Sequence, residues 1–423
     1  MKKLIYVFII LAFAGSVSAQ WVLSNTGLAG GTLKQTSFTD LNTGYVLVQN
    51  SPNNYIFKTT NAASSWTQVY NITGDTITTL CFINASTGFA GGRGKKIYNT
   101  INGGLNWTSQ TFNNFVNKGI KKINFLNAST GFAVGDGIPE GPILKTTNGG
   151  INWALINSGA SSFLNDIVFT DANTGYVCGD YEIMKSTNGG NSWFMLFHGV
   201  SGDPEYWSLY FINANTGYFS HSQGGYKVTT NGGSSFSNVE LDTAIGTVFT
   251  SVYFIDANTG FLTSFNMVNN NGKAYKTTNS GLTWGTQLST ASIPLLSVLF
   301  LSPSTGYIAG YGLPQALLYK TITGGVSVQN ISTEIPPSYF LGQNYPNPFN
   351  PRTVISFQLP VDSKVVIKVY DIMGREMETL VNERLQPGTY ETTFNGSNYT
   401  SGVYFYKLST GDFTDTKRMI LLK

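Results

Sequence analysis

The chain is organised by a stretch that reads KTTNGGINW and spans Lys145–Trp153. An Asn-Gly pair between two β-prone segments is a strong hairpin signal, because a type I′ turn needs positive φ at both central residues. The stretch returns at 99–107 and 185–193, weaker copies end at Trp66, Phe236 and Trp284, and a degraded copy spans Lys320–Gly325. Seven copies of one hairpin indicate a repeat architecture.

A second turn, Asn/Asp-x-x-Thr-Gly followed by Tyr or Phe, keeps the same spacing. Its glycines are Gly44, Gly88, Gly131, Gly175, Gly217, Gly260 and Gly306. A period of about 44 residues is typical of repeats that each form one four-stranded propeller blade. Each repeat then holds strand A, the Thr-Gly turn, strands B and C, the Asn-Gly-Gly turn and strand D. The sequence therefore predicts an all-β fold with a seven-bladed β-propeller over residues 20–330.

The start of the propeller is expected to complete its last blade. Trp21 precedes Gly44 by 23 residues, close to the 22 that separate Trp153 in a strand D from Gly175 in the next Thr-Gly turn. The last repeat has no Trp in the segment Val326–Val328, where its own strand D would lie. We therefore expect the N-terminal strand to close the ring, which removes two open sheet edges.

Residues 1–19 read as a secretory signal peptide. Lys2 and Lys3 precede an apolar run, and Val17-Ser18-Ala19 is a small-x-small cleavage pattern. The run is too short to span a bilayer, and no later stretch is apolar for long enough. The sequence predicts export by the Sec machinery and no integral membrane span.

Composition excludes several classes of function. A formal net charge of +3 over 423 residues argues against nucleic-acid binding, which needs a concentrated basic face. Cys81 and Cys178 fall two blades apart, so we expect buried thiols and no disulfide. The two histidines, His198 and His221, have no cysteine partners in a zinc pattern, so we expect neither a metal nor a cofactor.

The repeats resemble the Asp-box, or BNR, family of propellers, with Asn in place of the motif Asp at Asn102, Asn148, Asn188, Asn231 and Asn279. That family includes sialidases, sortilin-type receptors and photosystem assembly factors, so the resemblance implies the fold and not one activity. Sialidases use three arginines to bind the substrate carboxylate, and Arg93 is the single arginine of this propeller. The Arg-rich face of a photosystem assembly factor is missing for the same reason.

The upper rim, formed by the B–C and D–A connections, is where we expect function, because loop variation concentrates there. Asp136 and Glu140 belong to one B–C connection, and Asp203 and Glu205 belong to one D–A connection. Two carboxylates flanking a glycosidic bond would make a glycoside hydrolase. Solvated loop charges are the simpler interpretation.

Aromatic residues make the same rim a candidate binding surface. Trp207 stands at the start of an innermost strand, at a position occupied elsewhere by Lys121, Asn165, Thr78, Thr250 and Leu296. Tyr206, His221 and Arg93 are expected nearby, and such a group would suit a glycan or a protein. The alternative is that Trp207 packs against a neighbouring blade. A lysine also recurs in strand C, at Lys58, Lys145, Lys185, Lys276 and Lys320, and we favour a solvated edge over a functional cationic ring.

The repeat pattern stops near Pro336-Pro337, so we predict a linker over 331–340. About six alternating segments follow over 341–423 and predict a small Ig-like β-sandwich.

This tail resembles the type IX sorting domain of the Bacteroidetes–Chlorobi lineage. The resemblance rests on Asn344–Pro351, Val369–Asp371 with Gly374-Arg375, Ser401–Leu408 and the ending Lys417-Arg418-Met419-Ile420-Leu421-Leu422-Lys423. It implies passage through the type IX outer-membrane translocon, with the ending as sorting signal, and release or surface attachment of a secreted protein.

Together these patterns predict a secreted or cell-surface, non-catalytic binding or adhesion propeller for an extracellular glycan or protein. A secreted glycoside hydrolase acting on polysaccharide is the alternative.

Overall fold

A computed structural model describes residues 21–422 except 26, 113–118, 138–140, 201, 313–315, 323–327, 333 and 397–398. The predicted signal peptide, residues 1–19, lies outside the described residues. The described chain divides into two compact units, residues 21–325 and 326–422.

Within its described residues, the first unit contains 28 strands. In chain order they are β1 (Val22–Leu23), β2 (Gly31–Phe38), β3 (Gly44–Asn50), β4 (Asn53–Thr59), β5 (Thr67–Ile72), β6 (Ile77–Phe82), β7 (Gly88–Gly92), β8 (Lys96–Thr100), β9 (Thr108–Thr111), β10 (Ile120–Phe125), β11 (Gly131–Gly135), β12 (Ile143–Thr146), β13 (Ala154–Ile156), β14 (Leu164–Phe169), β15 (Gly175–Gly179), β16 (Glu182–Ser186), β17 (Phe194–His198), β18 (Tyr206–Phe211), β19 (Gly217–His221), β20 (Gly225–Thr229), β21 (Ser237–Glu240), β22 (Thr247–Phe254), β23 (Gly260–Asn266), β24 (Gly272–Thr277), β25 (Gly285–Thr290), β26 (Leu295–Phe300), β27 (Gly306–Gly312) and β28 (Leu317–Thr321).

These strands form the seven predicted blades. Blades 1 to 6 are β2–β5, β6–β9, β10–β13, β14–β17, β18–β21 and β22–β25, and blade 7 is β26–β28 with β1. First strands of successive blades contact one another, so they line the central channel. The predicted all-β propeller is confirmed.

The N-terminal strand closes the ring as predicted. β1 pairs antiparallel with β28, with Val22 opposite Lys320 and Leu23 opposite Tyr319. Trp21 is 3% exposed and makes edge-to-face contacts with Phe261 and Phe300. The sequence did not predict that β2 also pairs with β27, which joins blades 1 and 7 in one hydrogen-bonded sheet.

The Asn-Gly-Gly turn is held by the same hydrogen bonds in six blades. In blade 3 the Thr146 hydroxyl donates to Asn148 Oδ1 (3.0 Å) and accepts from the Gly150 N–H (2.9 Å). Asn148 Oδ1 also accepts from the Asn152 N–H (2.9 Å), so an amide oxygen performs the role of the Asp-box carboxylate. The positive-φ pair is Gly149-Gly150, not Asn148-Gly149 as a type I′ turn centred on Asn-Gly would require. The sequence located the turn correctly but assigned its central residues one position too early.

The Thr-Gly turn is an Asx turn in six of the seven blades, with Ser302 taking the Asx position in blade 7. The Asp171 carboxylate accepts from the backbone N–H groups of Asn173 (2.7 Å) and Thr174 (2.8 Å). Glycine is required after Thr because a Cβ at Gly175 would lie 2.6 Å from the Phe169 ring. The same Gly–Phe contact occurs in every blade, so each turn packs on its own first strand.

The recurring strand C lysines tie neighbouring blades together. Lys145 Nζ donates to the Gly189 carbonyl (2.7 Å), Lys185 to Gly232 (2.8 Å) and Lys320 to Ala62 (2.6 Å), each acceptor lying in the turn of the next blade. Each ammonium also lies over an aromatic ring of its own blade, as Lys185 does over Tyr176 at 5.1 Å. For these three lysines, the predicted solvated edge is wrong, because each ammonium is held between two blades.

The second unit is a β-sandwich. Its strands are β29 (Val328–Ser332), β30 (Phe340–Leu341), β31 (Arg352–Leu359), β32 (Ser363–Tyr370), β33 (Glu376–Leu385), β34 (Gly388–Asn395), β35 (Gly402–Ser409) and β36 (Thr414–Leu421). They form two sheets, β29-β34-β31-β30 and β33-β32-β35-β36, which share one hydrophobic core. The described residues of the sandwich thus form eight strands, not about six.

The boundary between the units differs from the prediction. β29 pairs with β34, so Val328–Ser332 is part of the sandwich and not of the propeller or the linker. Phe340 and Leu341 pair with β31 for the same reason. Edge strands this short carry no repeat signature, and only their pairing partners reveal them.

Cys81 and Cys178 are both free thiols, as expected. Burial raises the pKa of both, to about 11 for Cys81. No helix within the described residues is long and apolar enough to cross a membrane.

Candidate binding site at the channel mouth

Seven β-bulges surround the upper end of the central channel. Each first strand shifts register by one residue at the same point of its blade. The extra residues, which we call the bulge ring, are Lys34, Thr78, Lys121, Asn165, Trp207, Thr250 and Leu296. A bulge re-aims a side chain at a strand edge, and here that edge faces the channel.

Even-numbered blades carry a small polar residue in the bulge ring. Thr78, Asn165 and Thr250 donate to the backbone carbonyls of Ile120, Tyr206 and Leu295, respectively. Each acceptor immediately precedes the bulge residue of the following blade. These three side chains therefore join neighbouring inner strands and are occupied by structural bonds.

Odd-numbered blades carry the larger members, Lys34, Lys121, Trp207 and Leu296. Trp207 is 40% exposed, although the rest of its strand packs into the blade. A Trp on the innermost strand of a propeller would be expected to pack between blades. Its exposure favours the binding interpretation of Trp207 over the packing interpretation.

Two acidic residues, which we call the acidic pair, lie beside Trp207. Asp180 and Glu205 are partners in an isolated antiparallel bridge between blades 4 and 5. The Asn165 side chain orients Asp180 by donating to its Oδ1 at 3.1 Å. Burial and the charge of Asp180 raise the pKa of Glu205, while Lys121 opposes that shift.

Basic residues lie on the other side of the mouth. Arg93 follows β7, where its N–H donates to the Thr76 carbonyl (2.9 Å), and its side chain is exposed. Burial and the charge of Arg93 lower the pKa of Lys34. Lys121 lies between the two regions and forms an ion pair with Asp136 (3.3 Å).

Tyr206 and His221 are both buried, in contrast to the sequence-based expectation that they belong to an exposed binding surface. Tyr206 is fully buried, with its ring edge-to-face against His221 at 6.2 Å between centroids. His221 is 4% exposed, and its Nδ1 accepts from the Gln223 N–H (3.3 Å). Burial and the charge of Lys227 lower its pKa to about 4, so the imidazole is neutral at physiological pH. In a strand, the residues that flank an exposed position point the other way, which is why Tyr206 is internal.

The predicted carboxylates have different surroundings. Asp136 is buried and paired with Lys121, while Asp203 caps its own loop by accepting from the Val200 N–H (2.8 Å). Glu140 lies outside the described residues. Of the three that the structure describes, only Glu205 lies beside Trp207 with its carboxylate outside an ion pair.

Sequence reasoning omitted two residues of this site. Lys34 precedes Gly44 by the interval that separates Trp207 from Gly217, so the repeat spacing could have found it. Asp180 gave no such signal, because its role depends on a bridge to Glu205 in another blade. Among the described residues, no group of three His, Cys, Asp or Glu side chains could hold a metal ion.

The sorting-signal residues from Lys417 to Leu421 lie on β36, where they alternate between core and surface. Met419 and Leu421 are fully buried, and Lys417 pairs with Asp415 (3.3 Å). Arg418 and Leu422 are exposed and Ile420 is half-buried, while Lys423 lies outside the described residues.

Two family models match the chain. Residues 343–422 match the secretion system C-terminal sorting domain. The C-terminal unit is a type IX sorting domain. The protein is accordingly one that Bacteroidetes-type bacteria secrete to the cell surface. Residues 153–312 match the photosynthesis system II assembly factor YCF48.

Solved structures share the propeller fold. YCF48 bound to D1 peptide has a TM-score of 0.57 at 16% identity, over 72% of this chain and 97% of that one. YCF48 from Cyanidioschyzon merolae gives 0.56 at 16% identity, over 71% and 98%. PorZ of Porphyromonas gingivalis, an essential surface component of the type IX secretion system, gives 0.58 at 12% identity, over 94% of this chain and 60% of PorZ. No curated protein sequence matches this chain. At these identities the structures establish the fold alone.

Proposed function

We propose that this protein is a non-catalytic binding or adhesion propeller that holds an extracellular glycan or protein at its channel mouth. The observation that carries the proposal is the exposure of Trp207 on an innermost strand. An exposed Trp offers a large rigid apolar face, and such residues dominate many binding interfaces.

The surroundings of Trp207 support a polar ligand. The acidic pair lies on one side of the channel mouth, and the basic residues Arg93 and Lys34 lie on the other side. Lys121 lies between the two regions. Carboxylates accept hydrogen bonds from sugar hydroxyls or from the cationic groups of a protein, and an aromatic face stacks on either. The solved complex of YCF48 with D1 peptide adds weight to the protein alternative, because a propeller of this fold there holds a peptide.

The test compares two exposed aromatic residues. Trp207→Ala should weaken binding to the ligand found on glycan and peptide arrays at least tenfold, since truncating a central interface aromatic costs about 2 kcal/mol or more. Phe194→Ala is the matched control, because Phe194 is 47% exposed on the outermost strand β17. Equal affinity of the two variants would contradict a site at the channel mouth.

A glycoside hydrolase is the second candidate. The supporting observation is that Glu205, whose pKa is raised by burial and by the charge of Asp180, forms a bridge with that second carboxylate residue, because such enzymes use two carboxyl groups with different pKa values. Under this alternative, Glu205→Gln should abolish hydrolysis of array-positive glycans while leaving them bound. Absence of turnover by the unaltered protein on every bound glycan would eliminate the hydrolase.

A further inference from the structure

The last residues of β36, the strand that carries the sorting signal, already have their free edge covered. The Phe349 N–H donates to the Ile420 carbonyl (2.9 Å), and the Leu422 N–H donates to the Phe349 carbonyl (2.9 Å). Asn347 Oδ1 accepts from the Ile420 N–H (3.0 Å) between them. A partner cannot add a strand at these positions without displacing that segment, so recognition by β-strand addition there is closed.

Recognition must therefore use side chains, and few from the signal are available. Met419 and Leu421 are in the core, and Lys417 is paired with Asp415. Arg418 and Ile420 point outward from the sheet β33-β32-β35-β36. A partner that contacts the sorting signal must therefore bind to the outward face of this sheet, where these two side chains lie.

The register extends this surface across three strands. Arg418 lies opposite Phe405, which lies opposite Tyr370. In the next row, Lys407 lies directly opposite Lys368. Like charges directly opposite each other destabilise a sheet. The stability of the fold therefore does not explain why two lysines lie opposite each other here.

Only one cation of the three is neutralised. Lys368 pairs with Glu376 at 2.7 Å, whereas Lys407 and Arg418 form no ion pair with any described residue. The result is an aromatic row bordered by two unpaired cations.

The outward face of the other sheet has a different chemistry. On β31 and β34 the opposed outward pairs are Val354 with Thr393, Ser356 with Glu391 and Gln358 with Thr389. That face carries one exposed cation, Arg352, and the exposed ring of Phe340 opposite Gln358, but no residue of the sorting signal. The first face differs because it carries two unpaired cations together with the outward-facing residues of the sorting signal, Arg418 and Ile420.

We propose that Lys407, Arg418, Phe405 and Tyr370 form the surface on which the sorting domain docks to an acidic protein surface of the type IX translocon. This proposal rests on the sorting-domain assignment and is independent of what the propeller binds. Charge complementarity selects the partner, because desolvated cations beside aromatic side chains need carboxylates to compensate them.

The test measures export of the full precursor in a type IX-competent bacterium that secretes the unaltered chain. The K407E/R418E double variant should reach the surface and medium at least tenfold less than the unaltered chain, and should accumulate in the periplasm as folded protein. Arg352→Glu is the matched control, because it reverses an exposed cation on the outward face of the other sheet and should leave export unchanged.

Normal export of folded K407E/R418E would overturn the proposal. If the reversed charges prevent folding, the Lys407→Gln/Arg418→Gln double variant is tested in the same export assay. It removes both cations without introducing negative charge, and its normal export as folded protein would overturn the proposal. Binding of the purified chain to phosphatidylglycerol vesicles that is lost in the double variant would also overturn it, in favour of an anionic lipid partner.

Discussion

The turns of the propeller and its channel mouth are built from the same repeat, but side chains are repeated in the turns and vary at the mouth. The Asn-Gly-Gly and Thr-Gly turns repeat their hydrogen bonds from blade to blade, as Thr146 with Gly150 and Ser186 with Gly190 illustrate. At the mouth the backbone bulge repeats seven times, but its side chain changes from Lys to Thr to Trp. A repeated side chain thus indicates a structural role, whereas a variable side chain on a repeated backbone can be either structural, as Thr250 is, or exposed, as Trp207 is.

The largest effect is expected where a repeated position closes the ring. Trp21→Ala removes a nearly fully buried indole from the contact with Phe261 and Phe300, and should lower the free energy of unfolding by about 3–5 kcal/mol. Denaturant unfolding measures this. Val22→Ala is the control, because Val22 is 59% exposed and should cost less than about 0.5 kcal/mol. Equal stabilities would mean that the N-terminal strand does not hold the ring.

A second test uses pH to show that His221 belongs to the interior and not to the mouth. Its pKa is about 4 when folded, against about 6.5 in an unfolded chain. Between these values the unfolded chain binds a proton that the folded chain does not. The free energy of unfolding should therefore be constant above about pH 6.5 and fall by about 3 kcal/mol toward pH 4.

The matched variant for this test is His221→Asn, which cannot titrate. Its stability should lose that part of the pH dependence, as measured by unfolding across the same pH range. An unchanged profile would indicate that His221 is hydrated and accessible at the rim.

The same substitution at a turn and at the mouth sharpens the comparison directly. Thr146→Val leaves the buried Gly150 N–H without its acceptor and should cost about 1–3 kcal/mol. Thr250→Val removes a half-buried hydrogen bond to the Leu295 carbonyl and should cost about 1 kcal/mol or less. Thermal unfolding of both variants measures the difference. A larger cost at Thr250 would reverse the distinction between the two regions.

The smallest effect on stability is expected at the proposed contact residue. Trp207→Ala should change the free energy of unfolding by no more than about 0.5 kcal/mol, because Trp207 is 40% exposed, whereas Trp21 is 3% exposed. A loss comparable to that of Trp21→Ala, measured by the same denaturant unfolding, would restore the packing interpretation.

Much of the fold was predictable because its signals are local. The Asn-Gly-Gly turn depends on residues within one short segment, such as Thr146 and Asn148, and the Thr-Gly turn depends on Asp171 and its near neighbours. The role of the strand C lysines was not predictable in this way. Lys185 reaches the Gly232 carbonyl in the next blade, and a repeat shows which residue recurs but not which neighbour it contacts.

The candidate site was predicted in part. Spacing located Trp207 and Glu205 near the channel, but it also selected Tyr206 and His221, which the structure buries. Adjacent residues of a strand point to opposite sides of the sheet. Nearness in sequence to an exposed residue therefore does not show that a neighbouring residue is exposed.

The sequence by itself determined the number of blades, the closing strand and the sorting tail, because each is specified by a repeated or contiguous pattern. Only the tertiary structure decided which side chains meet at the mouth and which face of the tail is free. The acidic pair joins residues of two blades, and the unpaired cations Lys407 and Arg418 become neighbours across two strands. Such contacts depend on the register between segments that are distant in sequence. Hydrogen bonding and packing set that register, and no local sequence pattern encodes it.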